Sequence, residues 1–321
     1  MSQGTLLIVN GKAASQPALR EAVTAQREQG WELAVRVTWE AGDAARYADE
    51  AADLGMDSVI AAGGDGTINE VVGALARRDV DADALPSLGL LPFGTANDFA
   101  TALGIPKDID AALALIREQR PHRVDIGCCE SVDGSITRHF INFATGGLGA
   151  EVTTATSNDL KRMLGSAAYA ITGIARFHAL QPIALQMEGE AENGSALSWQ
   201  GDSLAFGIGN GMQAGGGHRI CPDARINNGF LDIAILPTPA EGRWLAALGD
   251  LLSGGLDAVD SATLRARVTR MRLRSERSIQ INLDGEPVHG DDFRIEALPG
   301  RLRLHCPDGC PLLSDSDSAV A

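Results

Sequence analysis

The chain has 321 residues, with 45% apolar and 21% charged side chains, a balance that suits a globular protein with two cores rather than one. Its formal charge of −15 makes it a poor general binder of nucleic acid, and an anionic membrane repels it on average. No apolar run approaches the roughly 20 residues of a membrane span, and Met1-Ser2-Gln3-Gly4 lacks the basic segment of a signal peptide, so a cytoplasmic protein is expected.

The first part of the chain alternates strand and helix patterns. Thr5 to Val9 is apolar; Pro17 to Gln29 has helical spacing, with Pro17 in its first turn and Gly30 as its stop. Trp31 to Thr38 alternates like a strand, and Gly42 to Leu54 is an Ala-rich helix ending at Gly55. Ser58 to Ala62 is a buried strand, after which Ile68, Val71, Val72 and Leu75 recur at helical spacing. Leu88 to Leu91 is a further strand, followed by a short helix from Ala96 and another over Ile109 to Arg117. This order predicts a parallel sheet with helices on both faces.

The texture changes after Asp125. Arg138–Ala144, Ala184–Met187, Ser203–Ile208, Leu231–Leu236, Ser278–Leu283, Phe293–Ala297 and Leu302–Leu304 read as strands between glycine-rich turns, a mainly antiparallel arrangement. Helical patterns interrupt it near Asp159–His178 and Ala240–Leu252, and the segment from Ser314 is small and polar. Five cysteines, two of them the adjacent Cys128 and Cys129, make no disulfide framework, and Cys306-x3-Cys310 lacks a second pair of zinc ligands.

A parallel sheet binds ligands beyond the carboxyl ends of its strands. Gly63-Gly64-Asp65-Gly66-Thr67 and Gly94-Thr95-Ala96-Asn97-Asp98 both fall there, as does Thr38. Backbone N–H groups, hydroxyls and a helix N-terminus together suit a polyphosphate, although such a turn, with Asp65 as a helix cap, also serves a purely structural connection. No Gly-Lys-Ser/Thr follows, and the spacing is not Gly-x-Gly-x-x-Gly, so neither common nucleotide fingerprint applies.

"GGDGTINEV" together with "LPFGTANDFA" resembles the catalytic domain of the diacylglycerol and sphingosine kinase family. NAD kinases and phosphofructokinases share only the Gly-Gly-Asp-Gly core. "RVTWEAGDAARYA", "ATGGLGAEVTT", "GIGNGMQAGGG", "CPDARINNGFLDI" and "NLDGEP" extend the likeness to the bacterial YegS-type lipid kinases, from about Leu6 to Leu313. The resemblance implies an α/β nucleotide-binding domain like that of NAD and diacylglycerol kinases, over residues 1–126. It also implies a β-sandwich-like lipid-substrate domain over 127–307, and a tail, 308–321, that returns to the first domain.

The resemblance further implies ATP as co-substrate with Mg²⁺ or, in its place, Ca²⁺. The nucleotide contacts carry over to Thr38, Gly64, Asp65, Gly66, Thr67, Ile68, Asn69, Glu70 and Thr95, with Asp65 and Asp98 towards the metal. Glu286 matches the proton acceptor for a lipid hydroxyl, and Asp284 is a second carboxylate beside it. On an extended chain those two would share a face; Gly285 between them also permits a turn. A structural metal in the second domain is implied at the carbonyls of Arg225 and Phe230 and the side chain of Asn228, where the family carries aspartate, so weakened affinity is expected.

"RARVTRMRLRSER", Arg265 to Arg277, places six arginines in an acidic chain, alternating with apolar residues and interrupted at Thr269. This pattern predicts a strand with a one-residue bulge and a basic face, either guarding an edge or carrying the enzyme to anionic lipid through Arg270, Arg272 and Arg274. "NGMQAGGGHRICPDA" reads as a mobile loop beside the lipid entry, with His218 and Cys221 as bystanders. The leading expectation is a lipid kinase acting on phosphatidylglycerol or a diacylglycerol-like acceptor at the inner face of the membrane. The alternatives are an NAD kinase-like enzyme and a nucleotide-binding lipid sensor without turnover.

Overall fold

The computed structural model describes residues 4–147, 182–192, 194–239 and 260–314. The helical patterns read at 159–178 and 240–252 lie outside the described residues, as do the segment from 148 of the glycine motif and the tail from 315.

The first half follows the expected order. Strands β1 (Thr5–Val9), β2 (Leu33–Val37), β3 (Ser58–Gly63) and β4 (Ser87–Pro92) alternate with helices α1 (Pro17–Glu28), α2 (Asp43–Asp53) and α3 (Asp65–Ala76). Helices α4 (Asp98–Leu103) and α5 (Ile109–Glu118) then follow β4. The stops are chemical: Gly30 and Gly55 take φ of +82° and +64°, where a side chain would be strained. Helix α3 is held by its apolar side, since Ile68, Val71, Val72 and Leu75 are all buried under the sheet. Each such side chain contributes roughly 1.5–3 kcal/mol.

The strands lie in the order β2-β1-β3-β4, all parallel. The direction of winding therefore reverses between β1 and β3, and the crevice beyond their carboxyl ends is the expected place for a ligand.

The second half is antiparallel. It comprises β5 (His122–Ser131), β6 (Thr137–Phe140), β7 (Phe143–Gly147), β8 (Ile183–Ala191), β9 (Ala196–Gly209), the short pair β10 (Gln213–Ala214) and β11 (His218–Arg219), and β12 (Leu231–Pro237). Two long strands close it, β13 (Leu264–Leu283) and β14 (Glu286–Leu304). Three expectations change here. A single strand over Arg138–Ala144 is two strands, broken at Ile141 and Asn142. Phe293–Ala297 and Leu302–Leu304 are parts of one strand, and β5 continues through position 126.

The two halves share one sheet. The last residue of β14, Leu304, pairs in parallel with Leu88 of β4, while the rest of β14 runs antiparallel to β13 and β5. Leu302, Leu304, Cys306, Cys310 and Leu312 complete the core of the α/β half, and a second core fills the antiparallel half around Phe140, Phe206, Met271 and Phe293.

The arginine-rich strand has its extra residue at Thr269: Val268 faces Ala191 and Arg270 faces Glu190, so two steps on β13 match one on β8. Its expected basic face is instead a ladder of ion pairs. Arg270 meets Glu190 at 3.1 Å, Arg272 meets Asp292 at 2.5 Å and Arg274 meets Glu188 at 2.8 Å. Arg267 meets Glu192 and Asp232, and Arg265 meets Asp260.

Candidate active site

The two glycine turns touch. Gly64 follows β3 and Gly94 follows β4, and a Cβ on Gly94 would lie 2.5 Å from the Gly64 Cα and 2.6 Å from the Asn97 carboxamide oxygen. The Asn97 side chain holds the second turn closed, accepting from the Gly94 N–H at 2.8 Å and donating to the Gly94 carbonyl at 2.8 Å. A Cβ on Gly63 would strike the Thr67 hydroxyl at 2.3 Å. Three glycines thus bring the chain ends of two strands into one surface that bulkier residues would hold apart.

Asp65 opens α3 within this surface. One carboxylate oxygen, Oδ1, is buried without a hydrogen-bond partner. Burial, reinforced by the charge of Asp98, raises its pKa, while the backbone amides of Phe99 and Asp98 oppose the rise. Asp284 arrives from the other half. It sits with Gly285 in a two-residue turn between β13 and β14, at φ +49° and +100°, the left-handed pair that an Asp-Gly hairpin favours.

The Asp284 carboxylate accepts from the N–H groups of Ile141 (2.7 Å), Phe143 (2.7 Å) and Asn142 (3.2 Å). This is why the chain breaks between β6 and β7. Burial pushes the Asp284 pKa up to about 6, against those three amides and with a further upward push from the charge of Asp65. Glu286 lies beyond the turn and is exposed, so the two acids do not share one extended face.

Hydrogen bonds join this turn to the second glycine turn. Asn142 Nδ2 donates to the Gln213 carbonyl at 3.1 Å, Gln213 Nε2 donates to the Asp98 carbonyl at 3.0 Å, and the Gly216 N–H donates to the Asp98 carboxylate at 2.8 Å. The segment expected to be a mobile loop is the β10–β11 hairpin, and its triglycine tip grips Asp98. Local sequence gave no sign of Asn142 or Gln213, because their partners lie in other elements.

On the other side of Thr67 a cavity of about 380 Å³ is lined by Asn10, Gly11, Lys12, Thr38, Trp39, Glu40, Thr67 and Glu70, among others. It sits at the β1/β3 crevice. Thr38 and Thr67 both line its wall, and so does Asn10-Gly11-Lys12, which the sequence alone did not single out. The signal for that triplet, a polar turn directly after the first strand, becomes meaningful only once the strand order is known. The other expected nucleotide positions differ in their surroundings. Ile68 is 1% exposed and belongs to the core. Glu70 accepts from the N–H groups of Gly42 and Ala44, each at 3.1 Å, and so caps α2. Asn69 is buried with an unpartnered Oδ1, Thr95 is exposed, and Gly66 faces open space.

The residues fit a catalytic cation at Asp65, whose buried oxygen lacks a partner. Among the described residues no three Asp, Glu, His or Cys side chains form a metal cluster by themselves, so phosphate and water would have to complete such a shell. The loop at 225–230 fits a metal poorly. The Asn228 side-chain oxygen already accepts from the Phe230 N–H at 3.0 Å, and the nearby Asp125 carboxylate accepts from Gly229 (2.6 Å) and Gly300 (2.8 Å). A larger cavity of about 830 Å³ adjoins this loop, and none of the glycine-turn residues lines it.

Residues 4–129 match the model of the diacylglycerol kinase catalytic domain, and residues 143–306 match that of the YegS C-terminal NAD kinase beta sandwich-like domain. The "Probable lipid kinase YegS-like" of Stenotrophomonas maltophilia (strain K279a) is 50% identical, over 96% of this chain and 97% of that protein. The protein of the same description from Pseudomonas aeruginosa (strain UCBPP-PA14) is 48% identical, over 97% and 96%. Two solved structures from Bacillus anthracis str. Sterne share the fold. One superposes with a TM-score of 0.76 at 25% identity and covers 96% of each chain. The other, of a diacylglycerol kinase, gives 0.67 at 23% identity, covering 96% of this chain and 98% of that one. The first half is thus a kinase domain of the diacylglycerol kinase type. Within that class the chain belongs to the YegS-like lipid kinase family.

Proposed function

We propose that this chain is an ATP-dependent lipid kinase that phosphorylates a hydroxyl of phosphatidylglycerol or a diacylglycerol-like lipid. The observation that carries the reading is Asp65, whose buried carboxylate oxygen lacks a partner, and whose pKa is raised by the charge of Asp98 from the second glycine turn while its own charge raises that of Asp284 from the antiparallel half.

In this reading the polyphosphate lies along the glycine turns, where Gly64 and Gly66 allow close approach and the N-terminus of the twelve-residue α3 faces its charge. Asp65 and Asp98 would hold Mg²⁺, which when bound would offset the negative charge of the phosphates. Asp284 fixes the turn that carries Glu286. Glu286 is solvent-accessible one residue beyond that turn, open to a hydroxyl delivered from outside. It takes the proton as the hydroxyl oxygen bonds to the γ-phosphorus and the bond to the β–γ bridging oxygen breaks, releasing ADP.

The test is transfer from γ-labelled ATP to phosphatidylglycerol, diacylglycerol and a sphingoid base in mixed micelles. One lipid class is expected to take label, and Glu286→Gln is expected to lower the rate by roughly 100-fold or more, with ATP affinity unchanged. Full activity in the variant removes Glu286 as base. Bound ATP with no labelled lipid favours a sensor, and NAD is then the next acceptor to try.

A further inference from the structure

Trp39 stands out on this surface. It is 95% exposed, far more than any other large apolar side chain among the described residues; the next is Leu54 at 56%. Exposure alone says little, because single apolar side chains are common on protein surfaces; the place of this one is what matters. Trp39 also lines the 380 Å³ cavity at the β1/β3 crevice, together with Gly11, Lys12, Thr38 and Thr67.

Its backbone is held firmly. The Asp43 carboxylate accepts from the Trp39 N–H at 2.8 Å and from the Glu40 N–H at 3.2 Å, and is itself paired with Arg46 at 2.6 Å. Glu70 fixes the next turn through the amides of Gly42 and Ala44. Asp43 therefore fixes the local fold of the segment from 39 to 44, and Glu70 ties that segment to α3. An exposed aromatic ring on a fixed backbone, at the mouth of a cavity whose inner wall reaches the glycine turn, is a ready platform for a planar ligand.

We propose that Trp39 is the stacking platform for the base of the nucleotide, with the triphosphate running inward past Thr38 and Lys12 to Thr67 and the glycine turns. The proposal rests on the nucleotide reading above. The base is favoured over a lipid chain as occupant for two reasons. The rest of the cavity wall is polar, with Asn10, Lys12, Thr38, Glu40, Thr67 and Glu70, and no residue of the β13–β14 turn that carries Glu286 lines it. Stacking binds any base through its π-face, so it supplies affinity for a nucleoside without strong choice among bases.

The experiment compares ATP with inorganic tripolyphosphate, both with Mg²⁺, by calorimetric titration of wild-type protein, Trp39→Ala and Trp39→Phe. Because the side chain is exposed, the melting temperature is expected to stay unchanged. Trp39→Ala is expected to weaken ATP by roughly 5-fold or more and to leave tripolyphosphate within two-fold, and Trp39→Phe is expected to recover most of the ATP affinity. Equal ATP affinity in Trp39→Ala and wild type overturns the proposal alone. The same result with reduced binding to phosphatidylglycerol vesicles overturns it in favour of a membrane anchor. Wild-type protein that binds tripolyphosphate but gains nothing from the nucleoside also overturns it, and wild-type protein that binds neither overturns the nucleotide reading with it.

Discussion

Gly94 shows how one missing atom shapes the site. Its φ is not in the left-handed region, so its backbone would accept alanine; the obstacle is space, with the Gly64 Cα 2.5 Å from the new methyl. The obstacle is backbone on a rigid turn, so the two turns must separate. Gly94→Ala is expected to lose about 1–3 kcal/mol of stability and at least about ten-fold in ATP affinity, read by thermal melting and calorimetry. Gly73, in the interior of α3, is the control. Apart from its chain neighbours and the backbone of its own helix, no atom lies within 4 Å of its added Cβ, and alanine there is expected to stabilise by about 0.5–1 kcal/mol. A Gly94→Ala variant that binds ATP as tightly as wild type would show that the turns need not touch.

At the scale of elements, the strand pair β13–β14 explains which features the sequence revealed and which it hid. Short periodic stretches were legible, and so was the bulge at Thr269, because an extra residue visibly shifts the arginine alternation. The continuity of the long strands was not. Between Arg274 and Ile279 the register with β14 shifts, and between Leu298 and Leu302, around Pro299-Gly300, the register of β14 with β5 shifts, so each strand reads as separate pieces. The glycine turns were legible because close backbone approach demands a residue type. The contacts of Asp284 with Ile141 to Phe143 were not, because about 140 residues separate the partners and no local pattern encodes them.

The arginine ladder belongs to the same scale. Three arginines face Glu188, Glu190 and Asp292, three charges of each sign, so the face carries no net charge to attract an anionic surface. Exposed pairs of this kind are worth about 0–1 kcal/mol each. Replacing all three pairs with glutamine and asparagine keeps the net charge. Unchanged binding to phosphatidylglycerol vesicles, measured by sedimentation, is the expected result. Weaker binding would instead assign lipid contact to the arginines themselves.

For the whole molecule, stability depends on the seam where the returning chain re-enters the α/β half. Arg301 donates to the carbonyls of Ala76 and Val80 at 3.1 and 2.7 Å, and Arg303 to those of Ala82 and Leu85 at 3.1 and 2.5 Å. His305 is buried beside them, 4% exposed, with its backbone N–H on the Leu88 carbonyl at 2.9 Å. Its Nδ1 lies 3.0 Å from the Gln119 carbonyl, which can only accept, so the proton is on Nδ1 and Nε2 accepts from the Ser87 hydroxyl at 2.9 Å. Burial keeps the ring neutral and brings its pKa down to about 4 from the usual 6.5, against the Gln119 carbonyl, which favours the proton. Burial disfavours a charged ring in this seam, whereas the unfolded chain protonates freely. Stability from His305 is therefore fully present above pH 6.5 and is lost as the pH falls, reaching roughly 3 kcal/mol below pH 4. Asp284, raised to about 6, acts in the opposite direction, because the folded state takes up its proton first. The net slope mixes both, so the informative quantity is the difference between wild type and His305→Gln. Urea midpoints across pH 4 to 8 are expected to converge as the pH falls, with the wild-type advantage confined to the neutral end. Parallel curves would mean that the seam tolerates a charged His305, and that some other contact holds the two halves together in acid.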